Sequence, residues 1–208
     1  MKIKFILIIF FQFVFFNSIL LSDDIDIVSD NIKILNNGKI IESINTNATI
    51  KKKGLYIEGD YSVYDKETKI IKFEKNVVFN DRVKNITIET ESAKYNQNLD
   101  ILETIGITNI KVENKYEIMS SNMFYDRKLQ KIYSKRETTI KDISGNIYNS
   151  EDSFQFDLVN EIITTKKANV IDTDNNIYIF ENAKINLASK EILGKELKID
   201  FVDDYFGI

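Results

Sequence analysis

The sequence predicts an all-β fold, an elongated antiparallel β-jellyroll built from about six hairpin-like repeats of about 30 residues. Three observations carry this. From residue 25 onward there is no 3.6-residue period, whereas apolar residues alternate with period two, as in Ile86-x-Ile88, Ile105-x-Ile107, Ile110-x-Val112 and Leu197-x-Ile199-x-Phe201. Ile, Val, Thr, Tyr and Phe fill these runs, the residues a pleated, half-buried surface favours. Clusters of Asn, Asp, Gly and Ser separate them: Asn36-Asn37-Gly38, Asn96-Gln97-Asn98, Ser144-Gly145-Asn146 and Asp172-Thr173-Asp174-Asn175-Asn176.

The first 22 residues form a unit of their own. Lys2 and Lys4 precede an apolar run from Phe5 to Leu21, interrupted by Gln12, Asn17 and Ser18, and Ser22-Asp23-Asp24 ends it. A charged start, an apolar centre and an abrupt polar exit are the layout of a secretory signal. The run is slightly short of the roughly 20 apolar residues a spanning helix needs, and no A-x-A cleavage pattern follows it. Residues 1–22 are therefore a signal peptide, or else a retained anchor using residues 5–21. In either case residues 23–208, the expected β domain, are exported. Without Lys2 and Lys4 the exported part carries 26 basic and 32 acidic residues, a net charge of −6.

Within the exported part the chain repeats. Ser62-Val-Tyr64-Asp65, Ala93-Lys-Tyr95-Asn96, Met123-Phe-Tyr125-Asp126, Phe154-Gln-Phe156-Asp157 and Ala183-Lys-Ile185-Asn186 align, their anchors spaced by 31, 30, 31 and 29 residues. A fainter first copy reads Ile32-Lys-Ile34-Leu35-Asn36. In the five clear copies the anchor is large and apolar, has a small or apolar residue two positions before it, and is followed at once by Asp or Asn. Six or seven residues further on comes a pair: Ile40-Ile41, Ile70-Ile71, Ile101-Leu102, Ile132-Tyr133, Ile162-Ile163 and Ile192-Leu193. Positions −2 and 0 share one sheet face. The Asp or Asn starts a turn by bonding its own backbone. The aliphatic pair opens the returning strand. One such hairpin cannot bury its face alone, so stacking is required, into a long sheet or a squashed barrel of roughly a dozen or more strands.

Composition excludes most chemistries. There is no His, Cys, Trp or Pro, so nucleophilic triads, the usual zinc sites and disulfides are absent. A near-neutral balance of 28 basic and 32 acidic residues, with Arg only at 82, 127 and 136, argues against a nucleic-acid partner. No enzyme and no cofactor are expected. Asp172-x-Asp174-x-Asn176 opens like a calcium loop, but Ile177 and Ala183 stand where that loop needs Gly and Glu, so a solvated hairpin turn is expected. Lys51-Lys52-Lys53 reads as a solvated turn, with contact to anionic sugar phosphates as the alternative.

The repeated aromatic anchor, the Asp/Asn turn and the following hydrophobic strand, behind an export signal, resemble the OstA-like lipopolysaccharide-transport (Lpt) β-jellyroll family. In that family the returning strand commonly carries Gly-Asn-Val; here Lys75-Asn76-Val77 stands at that place, and Thr104-Ile105-Gly106-Ile107 keeps a Gly near the equivalent one. The resemblance spans roughly residues 25 to 205. It implies a periplasmic domain, associated with outer-membrane assembly, whose apolar cleft shields the acyl chains of lipopolysaccharide and passes them along a stack of related jellyrolls. Either a stand-alone bridge protein or the N-terminal domain of an assembly protein fits. On this reading Ile34, Tyr64, Tyr95, Tyr125, Phe156 and Ile185 contact lipid. The same column could instead fill a closed core, which would suit a secreted structural or adhesin-like repeat protein without lipid. The terminal strands, near 26–35 and along Leu197, Ile199 and Phe201, lack proline and are expected to be open edges for pairing with a partner jellyroll.

Overall fold

The computed structural model describes residues 25–201; the signal or anchor segment lies outside the described residues. Sixteen strands follow one another: β1 (Asp26–Val28), β2 (Asn31–Leu35), β3 (Ile40–Ile50), β4 (Leu55–Asp65), β5 (Ile70–Asp81), β6 (Ile86–Asn96), β7 (Ile101–Val112), β8 (Tyr116–Ser121), β9 (Phe124–Asp126), β10 (Lys131–Ser134), β11 (Thr138–Asp142), β12 (Ile147–Ser150), β13 (Phe154–Asp157), β14 (Ile162–Ile171), β15 (Ile177–Asn186) and β16 (Glu191–Asp200). Each pairing is antiparallel. β8 and β9 both pair with β7, β10 and β11 continue from them, and β12 and β13 both pair with β14. They are halves of interrupted strands, as are β1 and β2. The described residues thus form a meander of twelve long strands, which is six hairpins. Among the described residues no helix is long and apolar enough to cross a membrane.

The inward alternation breaks near the middle of the long strands: buried positions change parity in β3, β4, β6, β14 and β15, whereas in β5, β7, the β10–β11 pair and the β12–β13 pair four residues separate them and parity is kept. Breaks coincide with left-handed backbone at Asn45 in β3, Lys75 and Asn76 in β5, Gly106 in β7, Asn122 between β8 and β9, Ser153 between β12 and β13, and Asn182 in β15. In β4 and β6 register shifts at 58–61 and 90–92 serve the same purpose. One extra residue bends a strand and flips which face its neighbours occupy, and two extra residues bend it and keep the face. Aligned across the meander, these bends form one crease, and the sheet folds over along it into two facing walls.

Each wall presents a continuous inward row. On the first wall, register neighbours run Ile34, Ile41, Tyr64, Ile71, Tyr95, Leu102, Tyr125, Ile132, Phe156, Ile163, Ile185, Ile192. All six sequence anchors lie in this row, alternating with the residue seven positions after each. On the second wall the row runs from Ile27 through Ala48, Ile57, Phe79, Ile88, Ile110, Ile118, Ile140, Tyr148, Val170 and Tyr178 to Ile199. The rows meet: Phe79 lies 5.9 Å from the Tyr95 ring and 6.3 Å from the Tyr125 ring, and Tyr116 sits edge-on to Phe156 at 5.4 Å.

The small residue at position −2 belongs to the crease, where the converging walls leave little room. Buried hydroxyls line it and bond one another, as buried polar groups must. Ser43 and Ser62 are 2.8 Å apart, Thr90 and Thr108 3.0 Å, and Ser150 and Thr165 2.6 Å.

The turns follow the predicted chemistry. The Asp65, Asn96, Asp157 and Asn186 side chains each accept backbone N–H bonds from the residues two and three further on. Successive turns also stack through single backbone bonds, as from the Gln97 N–H to the Lys69 carbonyl and from Arg127 to Asp100.

Lys75 shows what a side chain costs in a left-handed conformation. Its φ of 60° is a left-handed conformation that a side chain disfavours by about 1–2 kcal/mol. Lys75→Gly is therefore expected to stabilise the fold by about 0.5–1 kcal/mol, after subtracting the larger unfolded-state entropy of glycine. Denaturant midpoints of the two proteins measure it, and an unchanged or lower midpoint would contradict the crease assignment.

Candidate functional site

The interior is the first candidate. Tyr64, Tyr95, Tyr125, Phe156 and Ile185 are all at most 3% exposed, so these five anchors pack into a filled core in this state. Ile34 occupies the same row but is 63% exposed, because it lies on the edge strand β2 and among the described residues no strand flanks it there. The member of each aliphatic pair that turns inward is the one at +7. In the fourth repeat this is Ile132, while Tyr133 turns outward and stacks on Phe124 at 5.2 Å.

The edges are the second candidate. β16 pairs with β15 on one side only, and on the other its backbone is free among the described residues. Leu197 and Ile199 are 52% and 40% exposed, and Phe201 follows just past the end of the strand, also exposed. At the other end β2 and β1, among the described residues, pair with β3 alone.

The third candidate is a seam that the sequence did not reveal. Folding at the crease brings the two rows of turns together as lips. One lip carries the turns at 66–69, 97–100, 127–130 and 158–161, and the other those at 51–54, 82–85 and 113–115. Arg127 spans the gap. Its Nε donates to Asp81 Oδ2 at 2.6 Å, one terminal nitrogen donates to both Asp100 oxygens at 3.0 Å, and the other donates to the Lys53 carbonyl at 3.0 Å. Lys53 Nζ donates to the Gln97 carbonyl at 2.9 Å and lies 3.5 Å from Asp100. The Tyr125 hydroxyl donates to Asp81 at 2.9 Å, and the Tyr95 hydroxyl to Asp100. Further along, Lys84 Nζ donates to Gln130 Oε1 at 2.7 Å, and Lys115 Nζ and the Tyr116 hydroxyl both donate to Glu161. The basic triplet is thus not wholly solvated: Lys51 pairs with Asp26 at the surface, but the Lys53 side chain is turned into the seam.

Burial and neighbouring charges act on several groups of this cluster. Burial pushes the Asp100 carboxyl up, but bonds from Tyr95 and Arg127 and the Arg127 and Lys53 charges outweigh it and hold the group below its usual range. Burial, reinforced by the adjoining carboxylates, raises the Tyr95 and Tyr125 phenols. Tyr116 is pushed up to about 12, by burial first and then by Glu161. These side chains join the two lips as a clasp.

Elsewhere Asp172 accepts backbone bonds from Asp174 and Asn176 and side-chain bonds from Asn176 and Tyr178, so this motif is a hairpin turn as the sequence indicates. Among the described residues no group of three or more carboxylates is placed to hold a metal ion.

No protein-family model matches the chain, and no curated protein matches it significantly.

Proposed function

We propose that this protein is a periplasmic, non-enzymatic carrier module. It shields the acyl chains of lipopolysaccharide between its two walls and passes them toward the outer membrane along a stack of jellyrolls joined edge to edge. The observation that supports it most is the pair of inward rows. They run through all twelve strands without a charged residue and emerge at both ends, at Ile34 and Ile199, which are exposed among the described residues. A closed structural domain would cap such rows, whereas a relay needs them to continue into the next module.

A photo-reactive residue at Tyr95 or Tyr125 is expected to trap lipopolysaccharide in cells, and one at Lys66, in the outer turn, is not. Equal yields at the two kinds of position would refute interior binding.

The stacking half of the proposal has its own test. A proline is tolerated on a free edge strand but not within a paired one, because it lacks a donor and stiffens the chain. Ile199→Pro is expected to abolish self-association at high concentration, or capture of a partner jellyroll, while β-sheet circular dichroism persists. Equal association of variant and wild type in light scattering would show that β16 is not the joining edge.

One observation favours the other reading, a secreted structural repeat protein with no lipid. The interior is filled, with rings of opposite walls in contact. A carrier must open before it can load.

A further inference from the structure

Three sides of the folded sheet are held by backbone. Each wall is a continuous ladder, and at the crease the strands pass from one wall to the other as covalent chain. The seam is different. Backbone bonds between turns run along one lip, from Gln97 to Lys69, Arg127 to Asp100 and Leu158 to Gln130, or along the other, from Arg82 to Gly54 and Glu113 to Asn85. The bonds that cross from lip to lip, among the described residues, all use side chains, those of Arg127, Lys53, Tyr125, Lys84, Lys115 and Tyr116.

We propose that this seam is a lateral gate, with Arg127 as its central latch and the Lys84–Gln130 and Lys115–Glu161 contacts as flanking ones, through which an acyl chain enters between the walls. The use for lipid rests on the carrier reading above; the opening itself does not.

Charge placement favours such a gate. Arg127 and Asp100 belong to the same lip, and Lys53 and Asp81 to the other. In this central cluster parting the lips leaves one cation and one anion on each, and of the named latches only the flanking Lys115–Glu161 pair separates opposite charges. Arg127 keeps its two bonds to Asp100 and gives up those to Asp81 and Lys53. The flanking latches are part-exposed pairs of the kind that break at small cost.

The closed seam also leaves one group unsatisfied. Gln97 is 7% exposed, and its Nε2 donor has no partner, although its own backbone carbonyl holds Lys53. Water reaching an opened seam would satisfy that donor, so the closed form is not the best arrangement for every polar group in it.

The absence of cysteine makes a clean test possible. Leu55→Cys places a thiol at a buried position that pairs with Asp81 at the lip; Ser62→Cys places one at the buried crease. In the native protein the thiol at 55 is expected to react at least about tenfold faster than the one at 62, as local opening below the global unfolding free energy requires. Lys84→Ala and, separately, Arg127→Lys are expected to accelerate labelling at 55 several-fold and leave 62 unchanged. Equal rates at both sites, or equal acceleration of both by the variants, would overturn the gate.

The lipid arm uses fluorescent lipopolysaccharide and two tied proteins, one with Lys84→Cys and Gln130→Cys joined by a flexible bis-maleimide across the seam, the other with Lys72→Cys and Lys94→Cys joined within one wall. Uptake is expected to be lost in the first and kept in the second. Uptake by both would overturn the seam as the entrance. Faster labelling at 55 with no uptake by any form, wild type included, would uphold the opening and refute the carrier reading instead.

Discussion

Phe156→Ala is expected to destabilise the protein by about 3–5 kcal/mol. The ring has no exposed surface, lies between Ile132 and Ile163 on its own wall, and meets the edge of Tyr116 from the other. Removing it takes away its transfer free energy, leaves a cavity that strands on both sides cannot easily collapse, and loses an aromatic contact worth about 0.5–1.5 kcal/mol. Urea unfolding at constant slope measures it. A loss below about 1 kcal/mol would mean that the ring faces an already open groove, since an exposed site leaves no cavity penalty. The same variant separates function from fold: a carrier loses lipid retention along with stability, whereas a purely structural repeat loses only stability.

The sequence was most legible where the signal repeats locally. An anchor, an Asp or Asn and an aliphatic residue at +7 all lie within eight residues, so turn chemistry and period-two alternation determine them together. The row from Ile34 to Ile192 is the result. The small residue at −2 was visible as a pattern, yet its cause, a crowded crease with bonded hydroxyls, depends on the two walls converging. No single strand encodes that convergence.

The seam was not legible because its partners are far apart in sequence. Tyr125 and Asp81 are 44 residues apart, and Arg127 and the Lys53 carbonyl 74. Nothing local marks them. One signal was present: of only three arginines, Arg127 directly follows an anchor's Asp in a turn where the equivalent positions 66, 97 and 158 hold Lys, Gln and Leu. A guanidinium at a position that elsewhere holds Lys, Gln and Leu points to a planar, many-bonded contact. The exposure of Ile34 likewise follows from topology, since the row's end is a property of where the meander stops.

Arg127→Met is expected to cost about 3–5 kcal/mol, the usual penalty when one partner of a buried ion pair is removed. The side chains it leaves behind are Asp81, with none of its surface exposed, and Asp100, 13% exposed. Asp81 also accepts the Val83 and Lys84 backbone N–H groups through its other oxygen, so it cannot swing out to solvent without unmaking its turn. The loss should come mostly from the stranded carboxylates rather than from the missing bonds. Adding Asp81→Asn and Asp100→Asn keeps the turn acceptor and removes both charges, and is expected to restore much of the stability. If the triple variant is no more stable than Arg127→Met, uncompensated charge is not the cause. Acid provides an independent check. Asp100 is held below its ordinary value when folded, so its contribution is present above the unfolded carboxyl range near pH 4 and is lost as pH falls through the folded value. Asp65, Asp157 and Asp172, held low by backbone N–H bonds or a neighbouring Asn, act in the same direction. Wild type should therefore lose stability below about pH 4 more steeply than Asp100→Asn does. Parallel acid profiles for the two would show that the clasp draws nothing from that carboxylate.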